Sequence, residues 1–141
     1  MRNELFKGIP AKKMTMPQRK MQQWEIETNT WKRLLNFFRE ENIHSKNRLS
    51  DILKDGFERH LLGDLEDFHN HFIKHDEIMG LLRNEIAELD KMLLHENVNE
   101  GINPATIERK LDNLRHNLAD AGKGFCELQL DFNKYLAEKI V

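Results

Sequence analysis

The residues in this chain best suited to chemistry are histidines and carboxylates at helical spacing. Asp67, His71 and His75 follow one another at intervals of four residues, so a helix would place all three along one stripe. Imidazole and carboxylate groups are ordinary zinc ligands, and a further ligand from another helix or chain would complete a site. The stripe is therefore a candidate metal site on the second of the helices described below.

Two further pairs have the Glu-x-x-His spacing that di-iron four-helix proteins use, Glu41 with His44 and Glu66 with His69. Di-iron sites need these groups inside the bundle, whereas the apolar pattern places all four beside the core. That pattern contains no glutamate. We therefore interpret the region as a solvated acidic helix with scattered histidines, and we predict no cofactor.

Motifs of common enzyme classes are missing from the chain. It has no Gly-rich phosphate loop, no Gly-x-Ser-x-Gly and no His-Glu-x-x-His. Cys126 is the single cysteine, and the adjoining segment 124–127 has no cationic group to activate it. One cysteine excludes an intramolecular disulfide, and no apolar signal segment opens the chain. We therefore expect a non-catalytic cytoplasmic protein.

The elements that would position these residues are three long helices. Apolar residues recur at alternating steps of three and four, which indicates one buried stripe, here called the seam, on each helix. The seams predict helices at about 17–54, 58–96 and 104–140. Short connections then give an all-α, antiparallel, coiled-coil-like bundle with up-down-up topology. The seam positions are Met21, Trp24, Thr28, Trp31, Leu35, Phe38, Asn42, Ser45, Leu49 and Ile52; Leu61, Leu65, Phe68, Phe72, His75, Met79, Leu82, Ile86, Leu89 and Leu93; and Ile107, Leu111, Leu114, Leu118, Ala121, Phe125, Leu128, Phe132 and Tyr135.

The breaks between the helices are marked by turn residues. The first turn is predicted within 55–63, and a loop is predicted at 97–103. Asn103 and Pro104 fit the cap and first turn of the third helix, and Thr15 fits the cap of the first. The third seam keeps its phase through Gly122 and Gly124, so we predict one continuous helix there.

Three polar seam residues, Asn42, Ser45 and His75, are expected to meet in one layer. Antiparallel pairing about the predicted turns places Asn42 beside His75, Ser45 beside Phe72, and His75 opposite Phe125. A buried polar layer of this kind fixes register at a cost in stability. A ligand site at the same level is the alternative interpretation.

The net charge of −2 is unevenly distributed. Residues 1–20 carry a net charge of +5, and the rest of the chain carries −7. We predict a basic, flexible tail at 1–15 and a single helical domain at 16–141. A basic tail can bind nucleic acid, but its charges are not clustered, so we expect no nucleic-acid partner. No run of apolar residues is long enough to cross a membrane.

A second apolar stripe on the third helix suggests a partner. Cys126, Leu130, Ala137 and Ile140 lie away from the main seam, and a helix that is apolar on two faces needs two neighbours. We therefore predict a structural or protein–protein interaction module that self-associates, with no small-molecule substrate identified. A metal-binding bundle and a nucleic-acid binder are the alternative functions.

Overall fold

In the computed structural model of the protein, the residues described are 16–97 and 103–140. It consists of three long helices, α1 (Met16–Asp55), α2 (Leu62–Asn97) and α3 (Pro104–Lys139), with a short 3-10 turn at Arg59–Leu61 before α2. At 1.5 Å per residue, α1 is about 60 Å long. No strand occurs in the described ranges, and the predicted all-α three-helix bundle is confirmed.

Contacts between the helices show how they run. Helices α1 and α2 are antiparallel, because residue numbers that increase along α1 pair with residue numbers that decrease along α2, as in Lys32–Asp90 and Lys46–Asp76. The Tyr135 hydroxyl of α3 donates to Asp64 near the start of α2, which makes that pair antiparallel as well. It follows that α1 and α3 are parallel, and they share the smallest of the three interfaces.

The core follows the predicted seams closely. Every seam residue of α1 is buried, and the seams of α2 and α3 are buried except for Phe68, His75, Ala121 and Tyr135, which are half-buried. Leu136 lies outside the predicted seam but is 7% exposed. An ideal helix rotates by about 20° per heptad relative to a strict seven-residue repeat. That drift explains why Leu136, and not Tyr135, is buried at the end of α3.

The buried residues form two separate apolar clusters. The turn-end cluster, next to the α1–α2 connection, contains Leu49, Ile52, Leu61, Leu65, Phe72, Leu128, Phe132 and Leu136. The larger far-end cluster contains Met21, Trp24, Trp31, Leu35, Phe38, Met79, Leu82, Ile86, Leu89, Leu93, Ile107, Leu111, Leu114, Leu118 and Phe125. Along α1, the buried polar residues Asn42 and Ser45 lie between the two clusters.

The first connection lies within the predicted range 55–63. Helix α1 ends at Asp55, and Gly56 has a φ of +105°, where an L side chain would be strained. The amide of Gly56 still donates to the Ile52 carbonyl at 3.2 Å, which closes the last turn of α1. The second helix begins at Leu62 instead of residue 58, because Arg59–Leu61 form a 3-10 turn.

The second connection falls mostly outside the described residues, as do the predicted tail at 1–15 and the predicted Thr15 cap. Asn103 is described, and its side chain accepts a hydrogen bond from the Ala105 amide at 2.9 Å. Pro104 occupies the first turn, so the predicted cap of α3 is confirmed. Helix α3 continues without interruption through Gly122 and Gly124.

Polar contacts join α1 to α3 near the far-end cluster. The Arg115 guanidinium donates to both carboxylate oxygens of Glu27, with the shortest contact at 2.7 Å. The Trp24 indole donates to Glu108 at 3.2 Å. The bond to Glu27, more than any other effect, raises the pKa of Arg115. These contacts fix the parallel register of α1 and α3.

Candidate functional site

The middle of the bundle contains a fully buried amide, that of Asn42 on α1. Its Nδ2 donates to the Phe72 carbonyl at 3.0 Å and to Asp76 Oδ1 at 2.7 Å, both on α2. Lys46 pairs with the other oxygen of Asp76. The Asn42 side chain is 0% exposed, and its Oδ1 has no partner among the described residues. Asn42 therefore ties α1 to α2 at one register while leaving one acceptor unsatisfied.

Ser45, one turn further along α1, is tied to α3 and not to α2. Its hydroxyl donates to Gln129 Oε1 at 2.8 Å. The Nε2 of Gln129 is buried without a partner among the described residues. The expected position of Ser45 beside Phe72 gave no indication of this bond. The apolar spacing did not identify Gln129 as a site residue, because Gln129 lies off the seam. The one signal in the sequence is its position directly after the seam residue Leu128.

His75, the third residue of the predicted polar layer, joins neither of these contacts. It is half-buried, and its ring meets that of Phe125, the residue expected opposite it, edge-on at a centroid distance of 6.1 Å. Burial lowers the pKa of His75 below 6.5. The nearby charges of His71 and Lys74 act in the same direction, whereas Asp76 opposes them. The layer is thus two separate hydrogen-bonded contacts with the half-buried His75 ring beside them.

A groove between α2 and α3 opens beside His75. Its volume is about 490 Å³. Gly124 and Ala121 of α3 leave this space because neither has a large side chain; a Cβ built on Gly124 would lie 3.5 Å from the His75 ring. The apolar part of the lining comes largely from Ile78, Leu81 and Leu82 of α2. Polar groups also contribute, namely His71, Lys74, Glu85, Asn117 and Asp120.

The candidate metal stripe does not form a site. His71 Nδ1 lies 2.7 Å from the Asp67 backbone carbonyl, to which it donates, so the ring is engaged with main chain and not with the carboxylate. Across residues 16–97 and 103–140, no group of three or more His, Cys, Asp or Glu side chains is placed to hold a metal ion. His71 and His75 instead share the wall of the α2–α3 groove.

The predicted interaction stripe on α3 is mixed in character. Cys126 and Ala137 are exposed, and Leu130 is 69% exposed. Ile140 packs against the turn-end cluster and is half-buried. The stripe therefore reduces to an exposed apolar patch centred on Leu130.

Other large apolar side chains are also open to solvent. Leu81, at the α2–α3 groove, is 64% exposed, and Leu94 on the same helix is 63% exposed. On α1, Phe37 is 54% and Ile26 66% exposed. Of these four residues, Leu81 lines the α2–α3 groove, whose accessible lining is mainly apolar.

Similarity to known proteins gives no indication of function, so the fold and the grooves are the basis for assigning one. Within the described helices, no segment is long and apolar enough to span a membrane. No family model, no curated protein and no solved structure matches the chain.

Proposed function

We propose that the protein is a non-catalytic interaction module whose α2–α3 groove binds a basic amphipathic helix of a partner protein. The observation that carries this proposal is the exposure of Leu81 at the edge of an apolar groove of about 490 Å³. A helix that lays its apolar face into such a groove buries anchors at one-turn intervals. A fourth helix placed there would complete a four-helix bundle.

Charge favours a basic partner. A second cavity, of about 440 Å³, continues the groove toward the far end and shares Glu85 and Asn117 with it. Glu85, Glu88 and Lys110 line this stretch, and the two glutamates form no ion pair with any described residue. In the part of the chain that the structure describes, the ion-pair partner of Asp120 is His116, at 3.4 Å, which is charged only when protonated. The segment 58–96 also carries a net charge of −6. Glu85, Glu88 and Asp120 outnumber the two lysines of the lining, Lys74 and Lys110. Lysine or arginine on both flanks of the bound helix would complement these three carboxylates.

The test uses two fluorescent peptides, one an amphipathic helix of leucine and lysine and the other the same peptide with glutamate replacing lysine. Fluorescence anisotropy should show saturable binding of the lysine peptide and binding weaker by about tenfold, or 1.4 kcal/mol, for the glutamate peptide. Leu81→Ala should weaken binding of the lysine peptide. Leu94→Ala is the matched control, because Leu94 is equally exposed on the same helix but lies outside the groove.

Two results would count against the proposal. Equal affinity for both peptides would contradict the charge argument. Equal losses of affinity in Leu81→Ala and Leu94→Ala would show that the peptide does not bind in the groove. Self-association, which the sequence analysis predicted through the second apolar stripe of α3, is measured by sedimentation equilibrium. A dimer of the parent that is lost in Leu81→Ala would assign the groove to a second copy of the chain.

A further inference from the structure

Three histidines line the α2–α3 groove and its continuation toward the far end. His71 and His75 lie in the wall that α2 forms, and His116 of α3 lines the continuation. Histidine is the side chain whose ordinary pKa brings a change of charge between pH 5 and 8. The ordinary pKa values of carboxylates and lysines lie outside that range. The charge of this groove therefore depends on pH through its histidines.

The other charges of the groove are finely balanced. Among the described lining residues, Glu85, Glu88 and Asp120 supply three negative charges, and Lys74 and Lys110 supply two positive ones. The net charge of the lining is therefore −1 while the histidines are neutral and +2 when all three are protonated. A basic helix is attracted in the first state and repelled in the second.

The two exposed histidines take up a proton without rearrangement. His71 Nδ1 already donates to the Asp67 carbonyl, so the proton is added at Nε2 and this hydrogen bond is kept. His116 Nε2 lies 3.4 Å from Asp120 Oδ2, and protonation turns this contact into an ion pair. Asp120 then has a cationic partner within the protein and is no longer available to a lysine of the bound helix.

His75 is half-buried and packs against α3 through the Phe125 ring and Gly124. Asp120 of α3 lines the same groove. The charged and titratable groups that act on the His75 ring from its own helix are His71, Lys74 and Asp76, the last of which is paired with Lys46 of α1. Burial lowers the pKa of His75, so the ring is neutral near pH 7 and gains its charge only in mild acid. A basic helix in the groove disfavours that charge further, so binding of the helix and binding of the proton oppose each other.

We propose that protonation of His71, His75 and His116 releases the basic helix from the α2–α3 groove. This inference rests on the function proposed above and adds its regulation. The three charges develop along the groove itself and on both of the helices that form it. The partner is bound near neutral pH and released below about pH 6.

The lysine and glutamate peptides described above test the proposal by fluorescence anisotropy at about pH 7.5 and about pH 5.5, a range in which the ordinary pKa values of carboxylates and lysines leave them charged. The lysine peptide should bind about tenfold more weakly at the lower pH. The glutamate peptide should bind more tightly at the lower pH. Partial unfolding would weaken the binding of both peptides, so opposite changes separate the charge effect from a loss of the fold.

Two triple variants separate the histidines of the groove from histidines elsewhere. Replacing His71, His75 and His116 together with glutamine should make the affinity for the lysine peptide the same at both pH values. The matched control replaces three histidines outside the groove lining with glutamine, namely His44, His60 and His69, and it should keep the pH dependence of the parent. The double variant His71→Gln, His116→Gln changes only exposed side chains, so it leaves the core intact, and it should reduce the pH dependence.

The outcomes distinguish this inference from the proposed function. Absence of lysine-peptide binding at the higher pH would contradict the proposed function itself. Binding of the lysine peptide to the parent with equal affinity at both pH values would overturn the histidine inference alone. The same conclusion would follow from a pH dependence that is unchanged in the double variant.

Discussion

Asn42→Leu should make the protein more stable, although it removes two hydrogen bonds from the centre of the bundle. The substitution replaces a fully buried amide with an apolar side chain of similar size. The variant loses the bond to the Phe72 carbonyl and the charge-assisted bond to Asp76. Asp76 keeps its pairing with Lys46. The substitution also removes the orphan Oδ1, which has no partner among the described residues.

The expected magnitude follows from these four changes. A neutral hydrogen bond contributes about 1 kcal/mol and one to a charged group about 1.5–3 kcal/mol, so the two losses cost about 2.5–4 kcal/mol. Removing the unsatisfied acceptor returns about 1–3 kcal/mol, and burying a leucine adds about 1.5–3 kcal/mol. The net expectation is a gain of about 1 kcal/mol. Asn42→Ala buries no leucine side chain and opens a cavity, so its free energy of unfolding should be lower than that of the parent by about 2 kcal/mol.

Urea unfolding followed by circular dichroism measures both variants against the parent. The midpoint should rise for Asn42→Leu and fall for Asn42→Ala, with unchanged slopes. The reasoning would be refuted if Asn42→Leu lowered the stability by about 2 kcal/mol or more, because the hydrogen bonds would then outweigh the unpaired acceptor.

Three further predictions concern titration, backbone and charge. Because folding lowers the pKa of His75, the unfolded chain binds the proton first, and the free energy of unfolding should fall as the pH drops from about 6.5 toward that lowered pKa. In urea unfolding measured at several pH values, His75→Leu should reduce this dependence of stability on pH. The same pH dependence in the variant and the parent would contradict the argument. Gly80 lies in a helix interior where a new Cβ meets nothing within 4 Å, so Gly80→Ala should raise the stability measured by thermal unfolding by about 1 kcal/mol. Gly56 has a φ of +105°, so Gly56→Ala should lower the stability by about 1 kcal/mol. A change of the same sign in both variants would be inconsistent with the backbone geometry. The side chains of the Glu27–Arg115 pair are 31% and 40% exposed, so Glu27→Gln should lower the stability by less than about 1 kcal/mol. The difference in stability from the parent should become smaller in high salt. A larger loss that does not depend on salt would contradict this prediction.

Apolar spacing alone was enough to predict the helices and most of the core. A seam with steps of three and four leaves little choice of buried face over ten positions, so residues such as Leu35, Phe72 and Leu111 could be placed in the interior directly. The cap at Asn103 was equally readable, because an Asn-Pro pair fits that position of a helix specifically.

The polar contacts were less predictable, because a seam says which residues face inward but not how a long side chain turns. Asn42 was expected beside His75, yet its amide donates to Asp76 and the Phe72 carbonyl. Both acceptors become visible only when the side-chain direction is known. Ser45 likewise turns toward Gln129 of α3, a helix that is distant in sequence and parallel to α1.

The candidate sites show the same limit. The stripe Asp67, His71 and His75 followed correctly from helical periodicity, but periodicity carries no information on which ring atoms are already engaged. The α2–α3 groove depends on the absence of side-chain volume at Gly124 and Ala121 opposite His75. That arrangement requires the register of two helices at once. Small residues on one helix become informative only when the partner's side chains are in place.

The division of the core into two apolar clusters also has a dynamic consequence. Opening of the turn end alone would expose only the smaller cluster, with Asn42 and Ser45 marking where the separation stops. Amide hydrogen exchange would then show two tiers, with faster exchange in the turn-end half, around Leu49 and Leu65, than in the far-end half. The α2–α3 groove begins at this boundary, beside His75, and runs along the far-end half, where Ile78, Leu82 and Ala121 line it. A helix bound in the groove would therefore slow exchange in the far-end half, while the turn-end half could still open.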